Sequence, residues 1–116
     1  MEQFGLVFGD VVLVEVPFVS GEGVKLRPAV VLVEEKDNIV IAGITSNLKM
    51  QGVFIPKEEG LVVDSVIKLN YIFTVSKQRI RKKLTHLSFE KKLEICRELG
   101  NRMDFCLNNQ WRKIDA

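Results

Sequence analysis

The chain has 116 residues, of which 47% are apolar and 28% charged, a composition that predicts one compact domain and argues against disorder. Its formal charge is only +2, so any nucleic-acid partner has to be bound through a local basic site. The longest apolar stretches reach about eight residues, short of the ~20 that a membrane-spanning helix needs. The N-terminal residues lack the basic region and apolar core of a signal peptide, so we expect the protein in the cytoplasm and not in a membrane.

Short runs rich in valine and isoleucine predict a series of strands. β-Branched residues favour extended backbone, and clusters of Gly, Pro, Asp and Asn interrupt it. The predicted strands cover residues 10–16, 28–33, 39–45, 53–55 and 65–75, and the first three form a meander. Strands this short, at nearly regular spacing, favour a small antiparallel β-barrel over a parallel α/β sheet.

A helix is predicted after the strands. Ser88 is a suitable N-cap with Glu90 in the first turn, although Lys91 at the third position prevents a full capping box. Apolar residues at helical spacing form a stripe that we expect to pack on the barrel: Phe89, Leu93, Cys96, Leu99, Met103 and Leu107. The predicted architecture is one domain over residues 1–116, with a barrel at about 5–80 and a C-terminal helix at about 88–109.

The residues present disfavour several kinds of active site. The two cysteines are roughly 15 Å apart along the predicted helix. Together with the single histidine they cannot assemble a zinc site without carboxylates, so no metal is predicted. No nucleophile elbow or glycine-rich phosphate loop is present, which disfavours acyl transfer and nucleotide hydrolysis. His86 lies just before the helix cap, where a local hydrogen-bonding role is the commoner alternative to a catalytic base.

The chemically distinctive stretch is residues 21–28, where a glycine-bearing loop meets the second strand. Lys25 and Arg27 both lie there, and Pro28 biases the backbone of Arg27 to an extended conformation. A guanidinium offers a planar pair of donors to two phosphate oxygens, which predicts an anion site. The alternative is a structural ion pair between Arg27 and a carboxylate such as Asp10 or Glu15.

Two further polar segments are candidates for the same site. Thr45, Ser46 and Asn47 end the third strand, where they can lie beside the start of the second strand. Such residues are also common turn formers, and that alternative stays open. A basic run follows the last predicted strand and could track a phosphate backbone or form an ordinary solvated surface: Lys77, Arg79, Arg81, Lys82 and Lys83.

The order and spacing of several short motifs resemble the MazF/PemK toxin family. The motifs are Gly9–Val14 opening a strand, Arg27–Val31, Ile44–Ser46, Ser65–Ile67, and Lys82–Ser88 before the helix. The match extends over nearly the whole chain. The resemblance implies an SH3-like barrel that forms a homodimer. It also implies a toxin of a type II toxin–antitoxin system that cleaves single-stranded RNA without a metal or other cofactor and has an antitoxin protein as its partner.

The resemblance also assigns roles to residues. The family's catalytic arginine and threonine match Arg27 and Thr45. In such a reaction the 2′-hydroxyl of RNA attacks its own neighbouring phosphate, so the enzyme has to position the backbone and stabilise growing charge. The residues expected to bind RNA are Lys25, Ser46, Asn47, Lys68, Asn70 and Tyr71.

The sequence departs from the family pattern after the Ser65–Ile67 motif. Many members carry an aspartate, a glutamine and an arginine where this chain has Asn70, Tyr71 and Phe73. Asn70 cannot exchange protons as an aspartate does, Phe73 cannot hold a phosphate, and Tyr71 can stack a base. Two alternatives therefore remain beside the ribonuclease. One is a barrel that inhibits DNA gyrase by protein contact, as the similar CcdB toxins do, and the other binds RNA without cutting it.

Overall fold

Antiparallel strands followed by one helix make up the computed structural model, which describes residues 5–17 and 23–103 except for the side chain of Pro17. The strands are β1 (Asp10–Pro17), β2 (Val24–Glu35), β3 (Asn38–Thr45), β4 (Val53–Ile55), β5 (Ser65–Ser76) and β6 (Ile80–His86), and the helix is α1 (Phe89–Arg102). Short 3₁₀ turns lie at Lys57–Glu59 and Lys77–Arg79. The predicted mainly β fold with a C-terminal helix is confirmed.

The strands form one sheet in the order β4-β5-β3-β2-β1-β6, and all neighbours are antiparallel. Register shifts interrupt the pairing of β1 with β6, of β2 with β3, and of β3 with β5. Such irregularities bend strands and increase their twist, which lets the sheet curl. The curled sheet is the small antiparallel barrel that the sequence predicts.

Both faces of the central strands are buried, which explains their uninterrupted apolar runs. One cluster contains Val11, Val30, Ala42, Ile67 and Ile95, and it includes the contact with α1. Neighbouring residues in the same strands point to a second cluster, which contains Val12, Val14, Ala29, Val31 and Ile41. The second cluster forms the base on which the candidate site is built.

Strand β6 occupies much of the stretch that the sequence presents as a basic run. It pairs with β1, so that Asp10 is opposite His86 and Val12 is opposite Lys83. Because β6 is an edge strand with several exposed side chains, it carries no strict alternation of apolar and polar residues. The sheet continues to His86, beyond the predicted end of the barrel near residue 80.

Helix α1 begins as predicted but packs on the sheet through a different set of residues. Ser88 is the N-cap, and its Oγ accepts a hydrogen bond from the N–H of Lys91. Ile95 is fully buried and Leu99 packs beside it. The predicted packing stripe is wrong for the members that lie in or next to α1 and face solvent, which we call the α1 stripe: Phe89, Leu93, Cys96 and Met103.

The orientation of α1 follows from contacts at its first turn. Glu59 accepts hydrogen bonds from the N–H and the Oγ of Ser88, at 2.8 Å each. The Nζ of Lys91 donates to the backbone oxygen of Phe54 at 2.6 Å. These contacts turn Ile95 toward the core and leave the α1 stripe outside. Leu107 and the predicted helix end near residue 109 lie outside the described residues.

No helix in the described part of the chain is both long enough and apolar enough to cross a membrane.

Candidate active-site cleft

A cleft of ≈ 360 Å³ opens over the second core cluster, between β1, β2, β3 and β5. Five of the predicted site residues line it: Lys25, Arg27, Thr45, Lys68 and Tyr71. Ser46, Asn47 and Asn70 are exposed and do not line the cleft, so their predicted contact with RNA stays a prediction. The strands thus bring both predicted catalytic residues into one cavity.

Strand register explains why Arg27 and Thr45 share this cavity. Side chains alternate between the two faces of a strand, so Arg27 lies on the same face as Ala29, a member of the second core cluster. Arg27 is also directly opposite Val14 of the same cluster. Ala29 pairs with Gly43 across β2 and β3, and this register continued by two positions places Thr45 beside Arg27.

The carboxylates proposed as alternative partners of Arg27 are bound elsewhere. Asp10 pairs with Lys83 and His86, and Glu15 pairs with Arg81. Within residues 5–17 and 23–103, no carboxylate lies within ion-pair distance of Arg27. Its guanidinium is exposed at the cleft, where it can bind an anion.

Thr45 forms a turn and also lines the cleft. Its Oγ1 accepts a hydrogen bond of 3.1 Å from the N–H of Asn47, whose Oδ1 accepts one of 3.0 Å from the N–H of Lys49. The turn-forming alternative is therefore correct for Thr45 and Asn47. Because the Thr45 hydroxyl acts as an acceptor in this turn, its own proton can still be donated to an anion in the cleft.

Aromatic side chains of β5 form one wall of the cleft. The ring centroids of Tyr71 and Phe73 are 5.0 Å apart, and the Nζ of Lys68 lies 5.1 Å from the centroid of the Tyr71 ring. The wall therefore combines an aromatic surface with a positive charge.

A buried polar cluster joins β1 to β6 outside the cleft, and sequence reasoning missed it. One carboxylate oxygen of Asp10 accepts from the N–H of Val7 at 2.9 Å. The other lies 2.7 Å from Nδ1 of His86 and 3.1 Å from Nζ of Lys83. Burial raises the pKa of Asp10, but the hydrogen bonds from Val7, His86 and Lys83 and the charge of Lys83 outweigh it and lower this pKa.

His86 also contacts Lys92 of α1, because its Nε2 lies 2.8 Å from the lysine Nζ. A neutral ring that donates from Nδ1 to Asp10 can accept at Nε2 from the ammonium group. His86 thus has the local hydrogen-bonding role. Gly9 and Asp10 lie in the first family-like motif and His86 in the last. Their separation in the sequence does not predict that the side chains of Asp10 and His86 are in contact.

The basic run is largely occupied by structural ion pairs. Lys77 pairs with Glu34, Arg81 with Glu15, and Lys83 with Asp10. These contacts favour an ordinary surface run, in which three of the five cations pair with carboxylates of the sheet, over a path for a phosphate backbone. Among the described residues, no group of three His, Cys, Asp or Glu side chains is placed to hold a metal ion.

Comparison with solved structures shows that toxin structures have the same fold. A MazE-MazF structure from Deinococcus radiodurans aligns with a TM-score of 0.73 at 20% identity, over 87% of this chain and 97% of that one. The Mycobacterium tuberculosis toxin MazF-mt6 aligns with a TM-score of 0.63 at 20% identity, over 80% and 96%. A mycobacterial endoribonuclease in complex with its cognate antitoxin aligns with a TM-score of 0.68 at 14% identity, over 87% and 95%.

The sequence itself identifies the family. Residues 8–102 match the model of the PemK-like, MazF-like toxins of type II toxin–antitoxin systems. This segment contains the whole curled sheet, every described residue that lines the cleft, and α1. The chain therefore belongs to the PemK-like, MazF-like family of type II toxins.

Proposed function

We propose that this protein is a metal-independent endoribonuclease toxin, a single domain over residues 1–116 that acts on single-stranded RNA, including mRNA, in the cytoplasm. The observation that carries the proposal is the placement of Arg27 and Thr45 in one cleft, with Arg27 bound to no carboxylate of the described chain. Family membership and the likeness to a mycobacterial endoribonuclease support it.

The proposed reaction needs no nucleophile from the protein. The 2′-oxygen forms a bond to the adjacent phosphorus, the bond from phosphorus to the 5′-oxygen breaks, and the products are a 2′,3′-cyclic phosphate and a 5′-hydroxyl. The guanidinium of Arg27 binds two phosphoryl oxygens and the hydroxyl of Thr45 donates to one of them. Both contacts strengthen as negative charge grows on these oxygens.

Proton transfer is assigned to water. The part of the cleft that the structure describes contains no carboxylate and no imidazole, and Asn70 is neither an acid nor a base at neutral pH. In this proposal the 2′-hydroxyl loses its proton to solvent hydroxide, and the leaving 5′-oxygen takes one from water. In this proposal the protein accelerates the reaction by positioning the strand and stabilising charge.

The remaining predicted residues are proposed to hold the RNA strand. Lys25 and Lys68 also line the cleft, where they can bind flanking phosphates. Ser46, Asn47 and Asn70 are exposed near the cleft strands and are proposed to contact the sugar–phosphate backbone or base edges.

Defined RNA oligonucleotides in the presence of EDTA test this function. We expect cleavage that leaves a 2′,3′-cyclic phosphate and a 5′-hydroxyl, identified by mass spectrometry. A matched substrate with one 2′-deoxynucleotide at the cut position should resist cleavage there and still bind. Cleavage of the deoxy-substituted position at an equal rate would contradict the proposal, as would a requirement for added metal.

The gyrase alternative is tested with the same preparation. In this alternative the C-terminal segment from Met103 to Ala116 should be essential for inhibition. If the protein inhibits supercoiling by gyrase while RNA stays intact, this alternative is favoured. If RNA is bound but never cut, the non-catalytic alternative is favoured.

We propose that the α1 stripe joins two copies of the chain in a homodimer. Phe89, Leu93, Cys96, Gly100 and Met103 follow one another at intervals of four and three residues, the spacing of a helix–helix seam. If two copies pair antiparallel, Phe89 of one copy lies opposite Gly100 of the other, and Leu93 lies opposite Cys96. A large side chain thus meets a small one in both copies of the Phe89–Gly100 pair, and Met103 lies beyond these pairs.

Charges beside the seam agree with this pairing. In the same antiparallel alignment the exposed Glu90 lies near the exposed Arg97 of the second copy. Leu93→Glu should therefore yield a monomer in sedimentation experiments, and Val62→Glu, at a site 92% exposed and outside α1, should leave the dimer intact. A monomeric wild-type protein would contradict the proposal.

The antitoxin of this type II system is proposed as the second protein partner. A small acidic open reading frame beside the gene would supply the candidate antitoxin. Its purified product should stop RNA cleavage when it is added at one antitoxin chain for each toxin chain.

A further inference from the structure

A bulge in β5 presents Tyr71 to the cleft. Ala42 pairs with Ile72, but the next residue of β3, Gly43, pairs with Lys68, so residues 69–71 have no partners on β3. Leu69 is buried in the first core cluster and anchors the bulge. Tyr71 is 54% exposed and lines the cleft. The bulge therefore displays a large aromatic side chain to solvent.

Gly43 makes room for this ring. A Cβ built on Gly43 would lie 2.8 Å from Cδ2 and 3.4 Å from Cε2 of Tyr71, so the ring occupies the space that a side chain of β3 would fill. A glycine inside a strand commonly marks such a close approach of another group to the backbone. The exposed tyrosine is thus supported from below by β3.

Two more contacts hold the ring in place. Phe73 packs against it at 5.0 Å between centroids with planes inclined by 44°, a favourable arrangement for aromatic pairs. Lys68 places its Nζ 5.1 Å from the ring centroid, within the range of a cation–π interaction. A ring supported in this way loses little conformational entropy when a ligand stacks on it.

An aromatic ring beside a cation is the combination that binds single-stranded nucleic acid, because a base stacks on the ring while the cation binds a phosphate. From this arrangement, and resting on the function proposed above, we infer that Tyr71 is a stacking platform for a nucleobase adjacent to the phosphate held by Arg27. Lys68 binds the phosphate next to that base.

The inference distinguishes a stacking role from a chemical role of the tyrosine hydroxyl. Tyr71→Phe keeps the ring and should bind RNA like the wild type. Tyr71→Leu keeps apolar volume without an aromatic face and should bind RNA more weakly. If Tyr71 instead acted through its hydroxyl, Tyr71→Phe would be as defective as Tyr71→Leu.

The test uses RNA oligonucleotides that are 2′-O-methylated throughout and cannot be cut by 2′-hydroxyl attack, with 2-aminopurine placed at each position in turn. Stacking on a tyrosine quenches 2-aminopurine fluorescence. We expect strong quenching at one position with the wild type and Tyr71→Phe, and loss of that quenching with Tyr71→Leu together with binding weaker by about tenfold or more. Phe54→Ala removes an exposed aromatic residue outside the cleft and should behave like the wild type.

The outcomes separate this inference from the proposed function. If natural RNA is cut but Tyr71→Leu quenches and binds like the wild type, the platform is wrong and the ribonuclease stands. If quenching depends on Tyr71 but natural RNA is never cut, the platform stands and the ribonuclease is wrong. Failure of the wild type to bind the oligonucleotides would overturn the platform, and unchanged thermal midpoints of the variants establish that folding is intact.

Discussion

Asp10 and His86 are joined by a 2.7 Å hydrogen bond between Oδ1 and Nδ1, which links the start of β1 to the end of β6. The Asp10 side chain is completely buried, and the backbone of Val7 and the ammonium of Lys83 complete its coordination. Because a buried carboxylate with this many donors is stabilised in its charged form, this cluster should be a main source of pH-dependent stability.

Replacement of Asp10 by Asn should destabilise the fold by about 2 kcal/mol, because it removes the charge that pairs with Lys83 and accepts hydrogen bonds from His86 and the backbone of Val7. The folded state holds the pKa of Asp10 below its ordinary value. Its contribution is therefore complete above that value and is lost as the pH falls through the folded pKa. Urea unfolding from neutral to acidic pH should show this loss in the wild type and a weaker acid dependence in Asp10→Asn. Equal curves for the two proteins would refute the assignment.

Glu59, which is distant in sequence but in direct contact with Ser88, should stabilise the start of α1. Glu59→Ala removes the acceptor for both donors of Ser88 and should cost about 2 kcal/mol. Ser88→Ala should cost about 1 kcal/mol as a lost N-cap, and the double variant should cost less than the sum because the two residues are in contact. Chemical denaturation measures all three, with the exposed neighbour Glu58→Ala as the control. Strict additivity would show that the contact is energetically unimportant.

Part of this fold could be predicted from local sequence. The valine-rich runs around Val12 and Val30 define strands whatever surrounds them, and Pro28 fixes the extended backbone that presents Arg27. Strand β6 could not be recognised in the same way, because Lys82 and Lys83 look like a solvated basic run until their pairing with β1 is known.

The parts that escaped prediction depend on contacts between distant residues. The direction in which α1 packs is decided by Glu59 and Phe54, which contact its first turn from elsewhere in the chain. The position of Tyr71 depends on the bulge in β5 and on the missing side chain of Gly43. Neither relationship produces a periodic signal in the sequence.

Gly43→Ala should disturb the site without unfolding the sheet. The new methyl group would approach Cδ2 of Tyr71 to 2.8 Å, so the exposed ring has to move while the strand backbone stays as it is. We expect a stability change within about 1 kcal/mol and loss of much of the quenching that Tyr71 produces in 2-aminopurine RNA. In a Tyr71→Leu background the Gly43→Ala change should have no further effect on binding. A further loss of binding in that background would indicate that Gly43 acts by another route.

Lys25 and Lys68 should contribute to RNA binding through phosphate contacts. Each replacement by Ala should reduce the slope of log K against log salt concentration by about 0.7, the value for a single-strand phosphate contact. Lys82→Ala provides the matched control, since this exposed lysine of β6 lies outside the cleft. An unchanged slope for Lys25→Ala and Lys68→Ala would place the RNA elsewhere on the surface.

The pH dependence of cleavage should reflect attack assisted by hydroxide. Without a carboxylate or imidazole among the described cleft residues, the single-turnover rate should rise by about tenfold per pH unit between about pH 6 and pH 8. A bell-shaped profile in that range would instead reveal a general acid and base in the protein. The profile is best recorded with the chemical step isolated at saturating enzyme.

The most direct test of the central claim is single-turnover cleavage of one RNA oligonucleotide by the wild type, Arg27→Ala and Arg27→Lys in EDTA. The exposed Arg79→Ala, outside the cleft, is purified identically as the control. We predict that Arg27→Ala lowers the rate by about 100-fold or more, that Arg27→Lys recovers only part of it because ammonium cannot bind two oxygens in one plane, and that Arg79→Ala cleaves normally. Cleavage by Arg27→Ala at the wild-type rate would contradict the account.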